Sequence, residues 1–148
     1  MNSKRILLSP PHMGGTEPTY VAQAFQDNWI APAGPHIDLF ENRLVDFLDE
    51  KSQVVALNSG TAAIHLGLQL LGVQKGDVVL CQSLTFIASI NPVLYLGATP
   101  VFIGSEKETW NLCPIALEEA ILNQLNKGIQ PKAIVLVHLY GMPTKMNE

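Results

Sequence analysis

Ser59, Gly60 and Thr61 are the residues best suited to chemistry, because of what stands on either side of them. Ahead lies Val54-Val55-Ala56-Leu57, a short apolar run fit for a buried strand. Behind lies a mostly apolar helix from Ala62 to Leu71. Between them, Asn58-Ser59-Gly60-Thr61 is turn and N-cap chemistry. Strand, small polar turn and helix together make an anion site. The free N–H groups of the first helical turn and the positive end of the helix dipole converge on one spot. Gly60 permits close backbone approach, and the Ser59 and Thr61 hydroxyls can donate hydrogen bonds. The same residue types also serve a helix that only caps itself, so the pattern alone leaves both readings open.

Other side chains carry weaker signals. Phe86 follows a second polar turn, Gln82 to Thr85. An aromatic there either stacks on a planar ligand or fills the core, and general burial tendencies favour the core. His65 stands in a polar line with Thr61 and Gln69 at helical spacing, facing a site, solvent or a subunit contact. His138 ends the last apolar run, either as a ligand contact or as a hydrogen-bonded structural histidine. His12 and His36 lie in loops, and the four histidines show no metal-ligand spacing. There is no GxGxxG, and the 58–61 turn lacks the P-loop spacing and its lysine. No nucleophile elbow with a Ser-His-acid arrangement is present.

These residues need elements to position them. Thr16 can cap a helix from about Glu17 to Asp27. Asn28 to Pro35 is a loop with two prolines and a glycine. Ile37 to Phe47 reads as an amphipathic helix, with Leu39, Phe40, Leu44 and Phe47 on one face. After Gly72 come strands at Val78–Cys81, Thr99–Ile103 and Lys132–Val137. Phe86 to Leu96 is helical in composition, although Pro92 should kink or divide it. Pro114 starts a helix to about Leu125, with Glu118 and Glu119 near its positive end. Continuous apolar strands separated by helices predict an α/β fold, a mostly parallel sheet of about four strands with helices on both faces. Right-handed crossovers then bring the turns 58–61, 82–85 and 138–141 to one sheet edge, where such folds bind ligands.

Bulk properties narrow the class. A 47% hydrophobic and 15% charged composition excludes disorder and suggests that some apolar surface meets a partner. A net charge of −4 with scattered Lys and Arg gives no support for nucleic acid binding. No run approaches the roughly 20 apolar residues of a membrane span. Lys4 and Arg5 precede Ile6-Leu7-Leu8, which is too short for a signal-peptide core. Cys81 and Cys113 are too few for a disulfide framework and fit a reduced, cytoplasmic protein. The chain ends at TKMNE soon after a strand, with no closing helix, which predicts the N-terminal part of a longer protein.

Four ordered blocks carry a resemblance. They are NWIAPAGPHIDLFENRL, NSGTAAIHLGLQLLGV, DVVLCQSLTFIASINPVLYLGATPVFI and KAIVLVHLYGMP. Together they resemble the sugar-nucleotide aminotransferases of the DegT/DnrJ/EryC1/StrS group across nearly the whole chain. The SPPHMGG opening is similar to enzymes that aminate C4 of a UDP-linked 4-keto-6-deoxy-N-acetylhexosamine, as in bacillosamine-type glycosylation. The resemblance implies a fold-type-I enzyme that uses pyridoxal phosphate and works as a homodimer. Residues 1–52 would form an N-terminal helical segment with a substrate-side loop, and residues 53–148 the first part of the cofactor-binding large domain. Thr61 and Ala62 would bind the cofactor phosphate, Gly60 would permit the turn, and Phe86 would stack on the pyridine ring. Trp29, Ile30 and Gly34 would approach the nucleotide-sugar substrate.

The same resemblance marks what is missing. None of the seven lysines stands in the motif of the family's catalytic lysine, and the acidic partner of the pyridine nitrogen has no counterpart. The acidic segment usual after PVF(I/V) reads Gly104-Ser105. No catalytic residue is therefore assigned to this chain. The whole protein is read as an aminotransferase taking its amino group from a donor such as glutamate, and the 148 residues alone as inactive. Two rivals stand beside this reading: a pyridoxamine-phosphate-dependent sugar dehydratase, and a truncated domain that only dimerises or binds a phosphate compound.

Overall fold

The computed structural model describes residues 5–7, 10–48 and 51–148; Lys4, Leu8 and Ser9, named above, lie outside them. The chain divides into two compact units between Ala56 and Leu57.

The first unit holds helices α1, Glu17–Gln26, and α2, Pro35–Leu48. Thr16 makes no side-chain cap. The Glu17 carboxylate instead accepts the Gly14 and Gly15 N–H groups at 2.5 and 2.7 Å. Hydrogen bonds from its own N–H and from these two hold that carboxyl below the usual range. The α1–α2 loop turns at Asn28, whose φ is 57°, and the Trp29 N–H returns to the Ala24 carbonyl at 2.8 Å. Neither helix buries a residue.

Val54–Leu57, expected as a strand, is not one. The Ala56 N–H donates to a Glu41 carboxylate oxygen at 2.7 Å. Val55 and Leu57 stay exposed. A strand needs a paired neighbour, and the division between the units falls inside this run.

The second unit runs α3 (Gly60–Leu70), β1 (Val78–Gln82), a 3₁₀ turn (Ile87–Ser89) and α4 (Asn91–Tyr95). It continues through β2 (Thr99–Ile103), α5 (Pro114–Asn126), β3 (Ala133–Val135) and a second 3₁₀ turn (Leu139–Gly141). Three strands rather than four form the sheet among the described residues, in the order β2-β1-β3, all parallel. Val78 pairs with Thr99 and Gln82 with Ile103; Cys81 pairs with Val135. Central β1 is buried throughout, as a strand covered on both faces should be.

The two faces have separate cores. Val79, Cys81 and Val135 pack with Leu68 of α3 and Val93 of α4. Val78, Leu80 and Ile103 pack with Leu112 and with Ala116, Leu117 and Ile121 of α5. The chain moves from β1 to β2, then back past β1 to β3. Two crossovers in opposite directions with one hand must put their helices on opposite faces.

Pro92 resolves its conflict by sitting in the first turn of α4, where its missing N–H costs nothing. The expected division of the 86–96 stretch thus takes the form of a 3₁₀ turn followed by a short helix. Gly97 ends it at a φ of 71°, and a Cβ there would stand 3.2 Å from that of Lys75. Glu118 and Glu119 fall in the second turn of α5, not the first. Gln82, expected in a turn, is the fully buried last residue of β1. β3 stops before Val137 because the Val137 N–H turns to Gln82 Oε1, at 3.3 Å.

Burial pushes the Cys81 thiol up to about 11 from an ordinary value of 9.0. Iodoacetamide at pH 8 is therefore expected to label half-buried Cys113 and spare Cys81 in the folded chain, read by peptide mass spectrometry. The folded state holds the Cys81 proton more tightly than the unfolded state. Its contribution to stability is accordingly full below pH 9 and lost as pH rises toward 11.

Candidate anion and ligand site at the sheet edge

Ser59 is extended, with φ −160° and ψ 154°, and starts α3 as its N-cap. Its hydroxyl accepts the Ala62 N–H at 3.1 Å, and its carbonyl accepts the Ala63 N–H at 3.1 Å. Among the described residues the Gly60 and Thr61 N–H groups donate to nothing. They are two of the orphan donors of any helix start. Gly60 is exposed, and a Cβ there would meet nothing within 4 Å. Thr61 and Ala62 are half-buried. The helix start is thus an open donor site with room for an anion, while the Ala62 N–H is engaged in the cap.

α3 packs against α4 and against the 3₁₀ turn that follows Phe86. Phe86 is 81% exposed and is not a core residue. It caps that turn in an extended conformation, and it is Ile90 and Val93 that enter the core. His65 of α3 sets its ring edge-on to Tyr95 of α4, with centroids 5.8 Å apart.

In the first unit, the Trp29 indole lies over Gly34: a Cβ on Gly34 would stand 3.0 Å from Trp29 Cε3. The φ of Gly34 is 145°, a conformation that glycine alone adopts readily. Its carbonyl accepts the Ile37 and Asp38 N–H groups at the start of α2. Ile30 is exposed.

Two buried amides that sequence reasoning did not single out organise the strand ends. Gln82 Nε2 donates to the Leu84 carbonyl at 2.9 Å while its Oε1 accepts from Val137. Asn111 is fully buried. Its Nδ2 donates to the Met142 carbonyl, and its Oδ1 accepts the Leu139 N–H, both at 2.9 Å. Their one sequence signal is a carboxamide beside an apolar run, in VVLCQ and in WNLC. His138 is exposed, and its Nδ1 accepts the Thr144 N–H at 3.0 Å, so it fastens the same segment. The Glu106 carboxylate accepts from the Thr109 hydroxyl and N–H and from the Glu108 N–H. These bonds, the hydroxyl first, hold it below the usual carboxylate range. Lys145 pairs with Glu108 at 3.0 Å, which raises its own value.

The held segments wall an open groove of about 690 Å³ that includes Leu84, Thr109, Trp110 and Tyr140. Trp110 and Tyr140 have φ of 63° and 52°. Such a conformation costs a non-glycine residue roughly 1 kcal/mol or more. Among the described residues, no group of three or more His, Cys, Asp or Glu could hold a metal ion.

With this geometry in view, the comparisons with known proteins are specific. The model of the DegT/DnrJ/EryC1/StrS aminotransferase family matches residues 11–148. The chain belongs to this family. It is 52% identical over 145 residues to EpsN of Bacillus subtilis strain 168, assigned as a pyridoxal phosphate-dependent aminotransferase. It is 37% identical over 145 residues to the GDP-perosamine synthase of Escherichia coli O157:H7. These matches cover 98% of this chain but 37% and 38% of those relatives, so the chain spans little more than a third of their length. Among solved structures, Spr1654 of Streptococcus pneumoniae, assigned as a sugar aminotransferase, superposes in its PLP form with a TM-score of 0.80 at 32% identity. That match covers 97% of this chain and 35% of Spr1654. The fold is therefore part of the larger α/β fold of these aminotransferases.

Replacing Asn111 with Ala leaves the Leu139 N–H and the Met142 carbonyl without partners. The expected loss is roughly 1–3 kcal/mol in urea unfolding, with faster hydrogen exchange at the Leu139 amide. Gln82→Ala should do the same at Val137.

Proposed function

We propose that this chain is the cofactor-anchoring part of a sugar-nucleotide aminotransferase that uses pyridoxal phosphate. The observation that carries the reading is the open start of α3, with two unpaired N–H groups and space above Gly60, in a member of this family. The residues present fit a phosphate. The Gly60 and Thr61 N–H groups would donate to its oxygens with the Thr61 hydroxyl. The Ala62 N–H would join once the Ser59 hydroxyl releases it. Exposed Phe86, on the turn beside α3, would cover one face of the ring. When bound, the cofactor supplies the carbonyl that takes up and passes on an amino group and the ring that accepts electrons.

The acceptor is a nucleotide-linked 4-keto-6-deoxy sugar and the donor glutamate, in the making of glycan precursors. The GDP-perosamine synthase and Spr1654, assigned as a sugar aminotransferase, support the reading at the level of sugar amination, and EpsN supports it at the level of pyridoxal phosphate-dependent amino transfer. The loop with Trp29, Ile30 and Gly34 approaches the sugar. The working protein is a cytoplasmic homodimer, and among the described residues no helix is long and apolar enough to cross a membrane. The 148 residues lack a lysine in the family's catalytic position and do not transaminate alone.

Titrating the chain with pyridoxamine phosphate, followed by calorimetry, tests the anchor. Gly60→Ala adds a methyl to open space, so stability should hold or rise slightly, while binding weakens about tenfold by blocking close approach. Thr61→Ala should weaken it by a similar factor. Equal affinity in wild type and both variants would sink the anchor, and detectable amino transfer by the chain alone would sink its inactivity.

A further inference from the structure

The geometry points to the groove walled by Trp110 and Tyr140 as the subsite for the heteroaromatic base of the sugar nucleotide. This rests on the sugar-nucleotide reading above and adds the residues that select the substrate's nucleotide half.

The groove adjoins the proposed cofactor site through one shared turn. Leu84 lines the groove, and Phe86 follows two residues later. Both therefore lie at the same edge of the sheet, beyond the end of β1 at Gln82. Trp110 and Tyr140 are 62% and 81% exposed. Their rings make no aromatic contact with each other or with another ring among the described residues. Two large apolar surfaces are thus left open on one groove, where a planar ring can be covered by stacking.

The presentation is built rather than accidental. Only three non-glycine residues among those described have positive φ, and two of them are these aromatics. Each sits on a segment that the fully buried Asn111 fastens. Trp110 directly precedes it, and Tyr140 lies between its partners Leu139 and Met142. The pair is held in an unfavourable backbone state that glycine would adopt freely. What glycine would not supply is the ring. Glu108, at the same groove and paired with Lys145, adds carboxylate oxygen able to accept a ring N–H or an amino group of a base.

The test uses the chain with UDP and GDP as probes, ribose 5-phosphate as the base-free control, and saturation-transfer NMR on the base protons. Wild type is expected to saturate the base protons of a nucleotide and to bind ribose 5-phosphate at least tenfold more weakly. Trp110→Gly and Tyr140→Gly should each weaken nucleotide binding about tenfold. Their melting temperatures should hold or rise, since glycine relieves the backbone. Trp110→Phe should keep most of the affinity. Absence of nucleotide binding, equal affinity for ribose 5-phosphate, or unchanged affinity in both glycine variants would overturn the subsite. Pyridoxamine phosphate, titrated in parallel, separates the two readings. Its binding with no nucleotide bound removes the subsite alone, whereas its failure to bind wild type strikes the aminotransferase reading itself.

Discussion

A parallel strand buried on both faces has nowhere to send the polar groups beyond its last ladder bond except into the protein. β1 is such a strand, and Gln82 is how it ends. The carboxamide is long enough to satisfy a carbonyl on its own turn and an N–H beyond β3 at once. An unpaired buried group of either kind would cost roughly 1–3 kcal/mol, so the position excludes an apolar residue of the same size. Asn111 repeats the device one strand over. Together the two amides convert loose strand ends into a surface with fixed backbone positions.

The start of α3 follows a different logic. Ile64 and Leu68 root the helix in the core beneath the sheet, and the first turn is left to face outward. Ser59 takes one of the orphan donors for itself. That neutral bond is worth roughly 1 kcal/mol net. A hydrogen bond to a dianionic phosphate is about twice as strong, and the helix dipole adds up to roughly 1 kcal/mol at an exposed end. A bound phosphate would therefore displace the cap rather than be excluded by it. Capping and the proposed anion binding would be two occupancies of one site, which is why residue types alone left them unresolved.

Much of the fold was legible because its signals are local. The runs VVLC and TPVFI are apolar over the length of a strand, and both are strands. Pro114 marked the first turn of α5 because its ring favours that position. Non-local facts were not legible. VVAL reads like VVLC but has no paired neighbour among the described residues, and pairing is decided by residues far along the chain. Phe86 looked like core because most phenylalanines are, yet its extended cap position turns it outward. The amphipathic faces of α1 and α2 were correctly read as helical, but no periodicity says what they pack against, and neither helix buries a residue. Gln82 and Asn111 escaped notice because a lone carboxamide gains meaning only from the backbone it spans.

Precision at this edge therefore has two sources. The donors of α3 are placed by a helix whose other side is core, so their geometry is as stiff as the packing beneath them. The groove residues lie on loops and would be loose without help. Asn111 supplies it, and the cost appears as positive φ at Trp110 and Tyr140. The aromatic positions thus depend on a few hydrogen bonds centred on buried Asn111 and backed by His138 and Glu106, whereas the donors of α3 depend on many small contacts. A change in the core shared by α3 and α4 should loosen the start of α3 gradually. Loss of the Asn111 amide should loosen Leu139 and Met142 first, because those two groups lose their partners outright.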